Sequence, residues 1–494
     1  MDTPMLFRQI ADDRLAQYAY FIACQKTKEA IVFDPERDID RYLALAAREG
    51  MKIVAVAETH IHADFLSGAR ELATATGARA YLSAEGGPDW QSKWAPSVTH
   101  TLLHDGDTFA VGGIEFRAMH TPGHTPEHMS YLVTDRGAGA TTPMGLISGD
   151  FVFVGDLGRP DLLETAAGIE GVAETSARAL YASARRFVEL PDALQVWPAH
   201  GAGSACGKSL GAVPQSTVGY EKATSPILKL VGNERAFVDD ILSGQPEPPL
   251  YFARMKTLNR DGVALLGAMP QPPAITSVAT HAAEWEKPGT IIIDTRPWAA
   301  FRDGHLPNSI WAPTSMMFSM VAGSYAKPEE KIVLVADSAR ADELIRSLVR
   351  IGYDKIVALV APETIATAPN LERTPEVTVS DAAAASASQA AGTASAAEDF
   401  VLDVRGASEH AAGCVNGSTN VAYTRLAAHI AQLPRDKRLL VHCALGGRSA
   451  AATSMLRRLG FDAANVAGGF EEWKRQGLPV AHPASASSAA CCSP

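Results

Sequence analysis

The sequence predicts an α/β protein of about three domains. Its 494 residues are too many for one hydrophobic core at about 100–200 residues per domain. In the first half, short apolar runs of strand length alternate with segments of helical periodicity, and each run ends in a turn marked by Gly, Pro or His. Past residue 270, two similar blocks follow one another, each with buried strands leading into helices, as an open parallel sheet requires.

Composition narrows the function classes. The chain is 47% hydrophobic and 20% charged, the balance of a globular protein. A net charge of −11, with no basic stretch long enough to track phosphates, argues against nucleic acid. The first residues lack the basic and apolar regions of a signal peptide, and no apolar run approaches the ~20 residues of a membrane span. The protein therefore reads as cytoplasmic, with no membrane partner. Its six cysteines (24, 206, 414, 443, 491 and 492) are scattered and form no CxxC pair, so they read as free thiols.

The run ending at Ala57 reads as a buried strand, and a helical pattern resumes over 65–77. The turn between them is Thr59-His60-Ile61-His62-Ala63-Asp64-Phe65, whose His60, His62 and Asp64 can converge as ligands of a divalent metal. The same device recurs. The strand 113–119 is followed by Pro122-Gly123-His124-Thr125, the strand 145–148 by Gly149-Asp150, and Val196-Trp197 by Pro198-Ala199-His200-Gly201. Four times a strand ends and a candidate ligand follows.

HxHxD, PGHT, SGD and PAHG in this order resemble the metallo-β-lactamase superfamily over residues 1–265. That resemblance implies an αβ/βα sandwich with the metal at one edge, between two sheets. Hydrolytic members read HxHxDH and use the last His for a second metal; here that position is Phe65, which implies a single metal. The chain also resembles the persulfide dioxygenases, and that resemblance implies one Fe(II) per chain held by His60, His124 and Asp150. Two imidazoles and a carboxylate with open positions are also the facial triad of oxygen-using iron enzymes. His62, Asp64 and His200 then support the ligands or bound water. The segment Gly158-Arg159-Pro160-Asp161 resembles the GRxD of the same family, where the arginine and aspartate support the iron; on spacing alone it reads equally as an ion pair in a surface turn. The run 201–209 misses the phosphate-loop pattern by one residue, because Ala202 stands where Gly is needed. Cys206, six residues after His200, reads either as a buried structural thiol or as a sulfur relay near the metal.

In the second half, Ile291-Ile292-Ile293-Asp294-Thr295-Arg296 matches Phe400-Val401-Leu402-Asp403-Val404-Arg405. A glycine follows each aspartate by ten residues, Gly304 and Gly413, and then come Ser309 and Ser418 at equal offsets. The runs 331–336 and 438–442 also correspond. In the second block the strand leads to Cys443-Ala444-Leu445-Gly446-Gly447-Arg448 and a helix over 449–459. There a thiolate is stabilised by successive backbone N–H groups and the positive end of the helix dipole, with Arg448 adding fixed charge. In the first block the same place holds Asp337, which carries no nucleophilic sulfur. The blocks resemble two rhodanese domains, an inactive one over 270–370 and an active one over 374–484. Residues 380–397 read as an Ala/Ser-rich linker, and 485–494, with Cys491 and Cys492, as a flexible tail.

The order of the three resembles the fused persulfide dioxygenase and sulfurtransferase proteins of sulfide detoxification. It implies oxidation of a small-molecule thiol persulfide by O2 to sulfite and thiol, coupled to sulfur exchange among persulfide, sulfite and thiosulfate, in a homo-oligomer. The alternative is a zinc thioester hydrolase of the glyoxalase II kind with a sulfurtransferase appended. The identity of the carrier thiol is not written in the sequence.

Overall fold

A computed structural model describes residues 5–165, 171–390 and 399–482. The tail 485–494, with Cys491 and Cys492, lies outside the described residues, as does the stretch 391–398. The chain divides into two compact units. One comprises residues 1–269 with 346–354, and the other 270–345 with 355–494.

The first unit is built on two six-stranded sheets. One runs in chain order from Leu6–Asp12 through Gln17–Cys24, Glu29–Phe33, Lys52–Ala57 and Arg79–Ser83 to His100–Leu103. The other runs in reverse order from Ser216–Thr217 through Gln195–Pro198, Gly145–Gly149, Met129–Asp135 and Ile114–His120 to Thr108–Val111. Side chains alternate across each strand, and the core divides accordingly. In Gln17–Cys24, Tyr20 and Ile22 face a cluster containing Phe116, Tyr131 and Ile147 of the other sheet. Ala19, Phe21 and Ala23 face Tyr42, Leu45 and Leu72, which lie on the helices Asp40–Glu49 and Ala69–Thr76. On the far side, Leu146 and Val196 pack under Leu180, Ala184 and Phe187 of the helix Ala173–Val188 and Phe237 of Glu234–Leu242. Helices, two sheets and helices make the αβ/βα sandwich.

An arginine anchors this unit at depth. Arg350 donates from Nε to Asp38 Oδ1 at 2.8 Å and from Nη1 to Asp12 Oδ2 at 2.5 Å, and its Nε lies 3.3 Å from Glu36 Oε2. All four side chains are buried.

The second unit carries two five-stranded parallel sheets of the same connectivity. In the first, Lys331–Val335 is central, between Thr290–Asp294 and Ile356–Val360; in the second, Leu439–His442 is central, between Phe400–Asp403 and Ala463–Val466. The matched motif has one geometry in both copies. Arg296 binds Asp294 through two nitrogens, and its Nη2 donates to Gly304 O at 2.8 Å. Arg405 binds Asp403 in the same way, and its Nη2 reaches Gly413 O at 2.8 Å. The aspartate, arginine and glycine repeat in sequence because they form one hydrogen-bonded corner. The blocks keep separate hydrophobic clusters and are joined by hydrogen bonds: Arg458, on the helix Gly447–Arg458, donates to Asn308 Oδ1 at 2.7 Å, and Ser454 Oγ accepts from Trp311 N at 2.9 Å.

One expectation is corrected here. The first part of the supposed linker 380–397 lies in an α-helix, Val379–Ala390. Alanine is the best helix former, and the helix buries Val379 and Ala382 and fixes Ser386 Oγ on Asn416 O at 2.6 Å. Low complexity is here a packed helix face.

Candidate active sites

Four turns at the C-terminal ends of strands in the first unit deliver the candidate ligands to one place. His60 Nε2 and His124 Nε2 lie 3.8 and 3.5 Å from Asp150 Oδ2, and His200 Nε2 lies 3.4 Å from Asp150 Oδ1. One ligand atom from each of His60, His124 and Asp150 falls within 4.8 Å of the others. His60 Nε2 and both Asp150 oxygens are buried and, among the described residues, have no hydrogen-bond partner. Buried polar atoms are rarely left so, and convergent acceptors of this kind fit a divalent cation.

The other ring nitrogens explain the orientation. His124 Nδ1 lies 3.0 Å from Arg159 O and His200 Nδ1 3.1 Å from Ala16 O, so each donates there and leaves Nε2 as an acceptor. His60 Nδ1 is 2.9 Å from Thr59 Oγ1, whose own proton goes to Asp34 Oδ2 at 2.9 Å. Asp34 also accepts from Thr59 N at 2.7 Å and lies 3.2 Å from His62 Nε2. His62 is thus turned onto Asp34, with the buried Phe65 ring on it at 4.4 Å between centroids.

Protonation separates the two histidines of the HxH motif. Burial, with the neighbouring imidazoles of His62 and His124, pushes the His60 pKa well below its ordinary value. Burial and then the charge of Lys256 do the same at His124. Both rings are neutral, the form that ligates metal. Burial opposes charge at His62 as well, but Asp34, Glu58 and Asp64 outweigh it and raise its pKa to about 9. An imidazolium cannot ligate. Burial lifts the Asp64 and Asp150 carboxyls to about 6, a shift that a bound cation reverses.

A second group, Asp64, His200 and Cys206, also has ligand atoms within 4.8 Å of one another, and Phe65 is not among them. Burial, and then the Asp150 and Asp64 charges, push the Cys206 thiol well above its ordinary pKa, so the sulfur beside this group is protonated. The Arg159–Asp161 pair is present, but it is buried rather than set in a surface turn. Its nitrogens reach Asp161 at 2.9 and 2.6 Å and Pro246 O at 2.5 Å, while the Arg159 carbonyl holds His124. Gly158 passes so close that a Cβ would lie 1.8 Å from Asp150 O, and Gly149, at φ +54°, leaves room for His128 Nε2, which accepts from Asp150 N at 3.0 Å. The phosphate-loop-like segment is structural: Lys208 N and Ser209 N donate to Asp156 Oδ2, and Lys208 Nζ pairs with Asp240.

In the second unit, Cys443 is buried at the end of Leu439–His442, ahead of the helix Gly447–Arg458. Its Sγ accepts from Gly446 N at 3.1 Å and lies 3.4 Å from Ser449 Oγ. Arg448 takes the loop carboxylate: it holds Glu409 through two nitrogens at 2.5 and 2.7 Å. Behind the sulfur, the Ser449 hydroxyl donates to Asn465 Oδ1 at 2.7 Å, and Asn465 Nδ2 donates to Glu376 Oε2 at 3.0 Å. Trp298 Nε1 and Arg302 Nη1 of the first block bind the same carboxylate at 2.7 Å each. In that block Asp337 accepts from Ala339 N at 2.9 Å and closes its own turn.

Sequence reasoning missed Asp34, Thr59, His128 and Lys256 in the first unit and Ser449, Asn465 and Glu376 in the second. Only His128, four residues after His124, carried a signal in its own motif.

Comparison with known proteins follows this division. Residues 12–200 match the metallo-beta-lactamase superfamily, and 277–361 and 383–476 match the rhodanese-like domain. A solved metallo-beta-lactamase from Staphylococcus aureus is 42% identical, covers 73% of this chain and 100% of its own, and superposes with a TM-score of 0.67. A probable metallo-hydrolase of Burkholderia pseudomallei is 32% identical over 36% of this chain; the match spans 64% of that relative's length. A mitochondrial persulfide dioxygenase of Bos taurus is 27% identical over 51% of this chain and 86% of its own. The chain belongs to the metallo-beta-lactamase superfamily and carries two rhodanese-like domains behind that domain.

Proposed function

We propose that the first unit is a non-haem Fe(II) persulfide dioxygenase and that the second transfers the sulfane sulfur. The observation that carries this is the convergence of two neutral imidazoles, His60 and His124, on Asp150, in a chain that also presents Cys443 at a helix N-terminus. The likeness to a persulfide dioxygenase supports it. His60, His124 and Asp150 would hold one Fe(II), which when bound supplies a place where a persulfide anion and O2 meet.

The overall change is RSSH + O2 + H2O → RSH + SO3²⁻ + 2H⁺, in which the sulfane sulfur gives four electrons to O2. Around it the protein fixes geometry. Thr59 and Asp34 set the His60 ring, Arg159 O sets His124, and His128 sets the Asp150 backbone. In the second unit the Cys443 thiolate attacks the sulfane sulfur of a persulfide and expels thiol, and sulfite then removes that sulfur as thiosulfate. The Gly446 N–H steadies the sulfur as charge develops on it. Arg448, tied to Glu409, keeps the loop closed around it.

Against a zinc thioester hydrolase speak Phe65, which supplies no donor where hydrolytic members carry a histidine for a second metal, and the rhodanese-like domains that follow. The test is anaerobic purification, metal analysis, and then oxygen uptake and sulfite formation with several persulfides. Bound iron with stoichiometric sulfite supports the reading; bound zinc with thioester hydrolysis and no oxygen uptake defeats it.

A further inference from the structure

Lys256 is a buried cation that neither proposed reaction uses. It lies on the helix Tyr251–Asp261, and its ammonium is shut off from solvent with no hydrogen-bond partner among the described residues. The Trp90 ring lies beside it, 4.8 Å from nitrogen to centroid. A ring face takes one side of an ammonium, whereas the group has three N–H donors to place. Glu127, whose Oε1 is spent on Ile61 N at 2.8 Å, offers charge from a distance but makes no hydrogen bond to it.

The surroundings give the nitrogen a direction. Lys256 and Trp90 line a cavity of about 460 Å³, of the size that holds a small-molecule ligand, together with Leu163, Thr257 and Ile61. Ile61 is the residue between His60 and His62, so the cavity reaches the wall of the ligand cluster. The Lys256 charge is also felt at His60 and His124, and Cys206 and Asp150 act on it in return. Burial draws the ammonium down to about 8, still protonated at neutral pH.

We propose that this cavity is the substrate pocket and that Lys256 is its anion anchor, pairing with a negative charge on a small thiol persulfide whose sulfane sulfur is thereby held beside His60, His124 and Asp150. This rests on the reading of the first unit as a persulfide dioxygenase. The charge has two sources, a carboxylate on the carrier or the persulfide sulfur itself, and both are anions that complete the three donors. Trp90 forms the side wall and Leu163 the apolar contact for the carrier's carbon chain.

The experiment uses the full-length, iron-loaded protein with Lys256→Gln, Lys256→Arg and Lys256→Met, each checked for iron content and circular dichroism. Oxygen uptake is measured with the persulfides of 3-mercaptopropionate and 2-mercaptoethanol, which match in size and differ in a carboxylate. Binding of the unreactive 3-(methylthio)propionate is read by calorimetry. Loss of a charged hydrogen bond predicts a KM about 10- to 100-fold higher for Lys256→Gln with kcat little changed, and partial recovery in Lys256→Arg. A rise confined to the mercaptopropionate persulfide, with calorimetric binding lost, assigns the carboxylate; an equal rise for both persulfides assigns the sulfur. Lys256→Met fills the same space without charge and gives the same answer if Lys256→Gln folds poorly. Unchanged KM for both persulfides and unchanged calorimetry in an iron-replete variant would overturn the proposal. If the wild type consumed no oxygen with any persulfide, the dioxygenase reading would fail, and the calorimetric comparison would still decide whether Lys256 binds an anion.

Discussion

His62 Nε2 lies 3.2 Å from Asp34 Oδ1, while His60, two residues earlier, aims its Nε2 at Asp150. The two imidazoles of one motif are divided between two carboxylates, Asp34 and Asp150. His62→Gln should therefore keep metal, whereas His60→Gln and Asp150→Ala should lose it. Metal analysis should give about one iron per chain in the wild type. Two tightly held ions would show that Asp64, His200 and Cys206 form a working second position despite Phe65.

Cys443→Ser should abolish sulfur exchange with thiosulfate, because an alkoxide is not available near neutral pH to replace a thiolate. Oxygen uptake with a preformed small persulfide should survive, and sulfite should accumulate in place of thiosulfate. Conversely, His124→Ala should stop oxygen uptake and spare sulfurtransfer. If Cys443→Ser stopped oxygen uptake with iron still bound, the Cys443 persulfide would be the substrate of the first unit.

Asp337→Ala should leave both activities within about twofold, since its carboxylate accepts Ala339 N within its own exposed turn. Asn465→Ala should behave differently. It cuts the link from Glu376 to Ser449 and lets the hydroxyl beside Cys443 turn, so the sulfurtransfer rate should fall roughly tenfold with the fold retained. A thiosulfate assay on both variants decides between these expectations.

Arg350→Ala should be the most destabilising of the changes considered. It leaves the buried Asp12 without its arginine and strips Glu36 and Asp38 of one of theirs, although Arg41 and Arg346 remain on them, a loss of about 3–5 kcal/mol for a broken buried pair. A urea titration followed by circular dichroism should show the earlier midpoint, and iron content should fall only as the unit unfolds.

The duplicated sheets were legible in the sequence through apolar runs, Gly and Pro turns and a motif recurring with Asp294 and Asp403, whereas the sandwich was expected only from the resemblance that its four ordered motifs carry. The ligand turns were legible because His and Asp follow strand ends. What was not legible depends on distance along the chain. Asp34 meets Thr59 across 25 residues, Lys256 meets Trp90 through a helix with no motif, and Glu376 meets Asn465 across 89 residues. The helix Val379–Ala390 was hidden for another reason: its composition matches that of a linker, and only the buried faces of Val379 and Ala382 distinguish the two.

Glu376 stands between the two copies of the rhodanese fold, bound on one side by Trp298 and Arg302 and on the other by Asn465. The tryptophan and arginine of the first copy orient the carboxylate that accepts from Asn465, so changes at 298 and 302 would be felt in the other block, beside Cys443. An excised C-terminal rhodanese-like domain would inherit a carboxylate stripped of two of its hydrogen-bond donors.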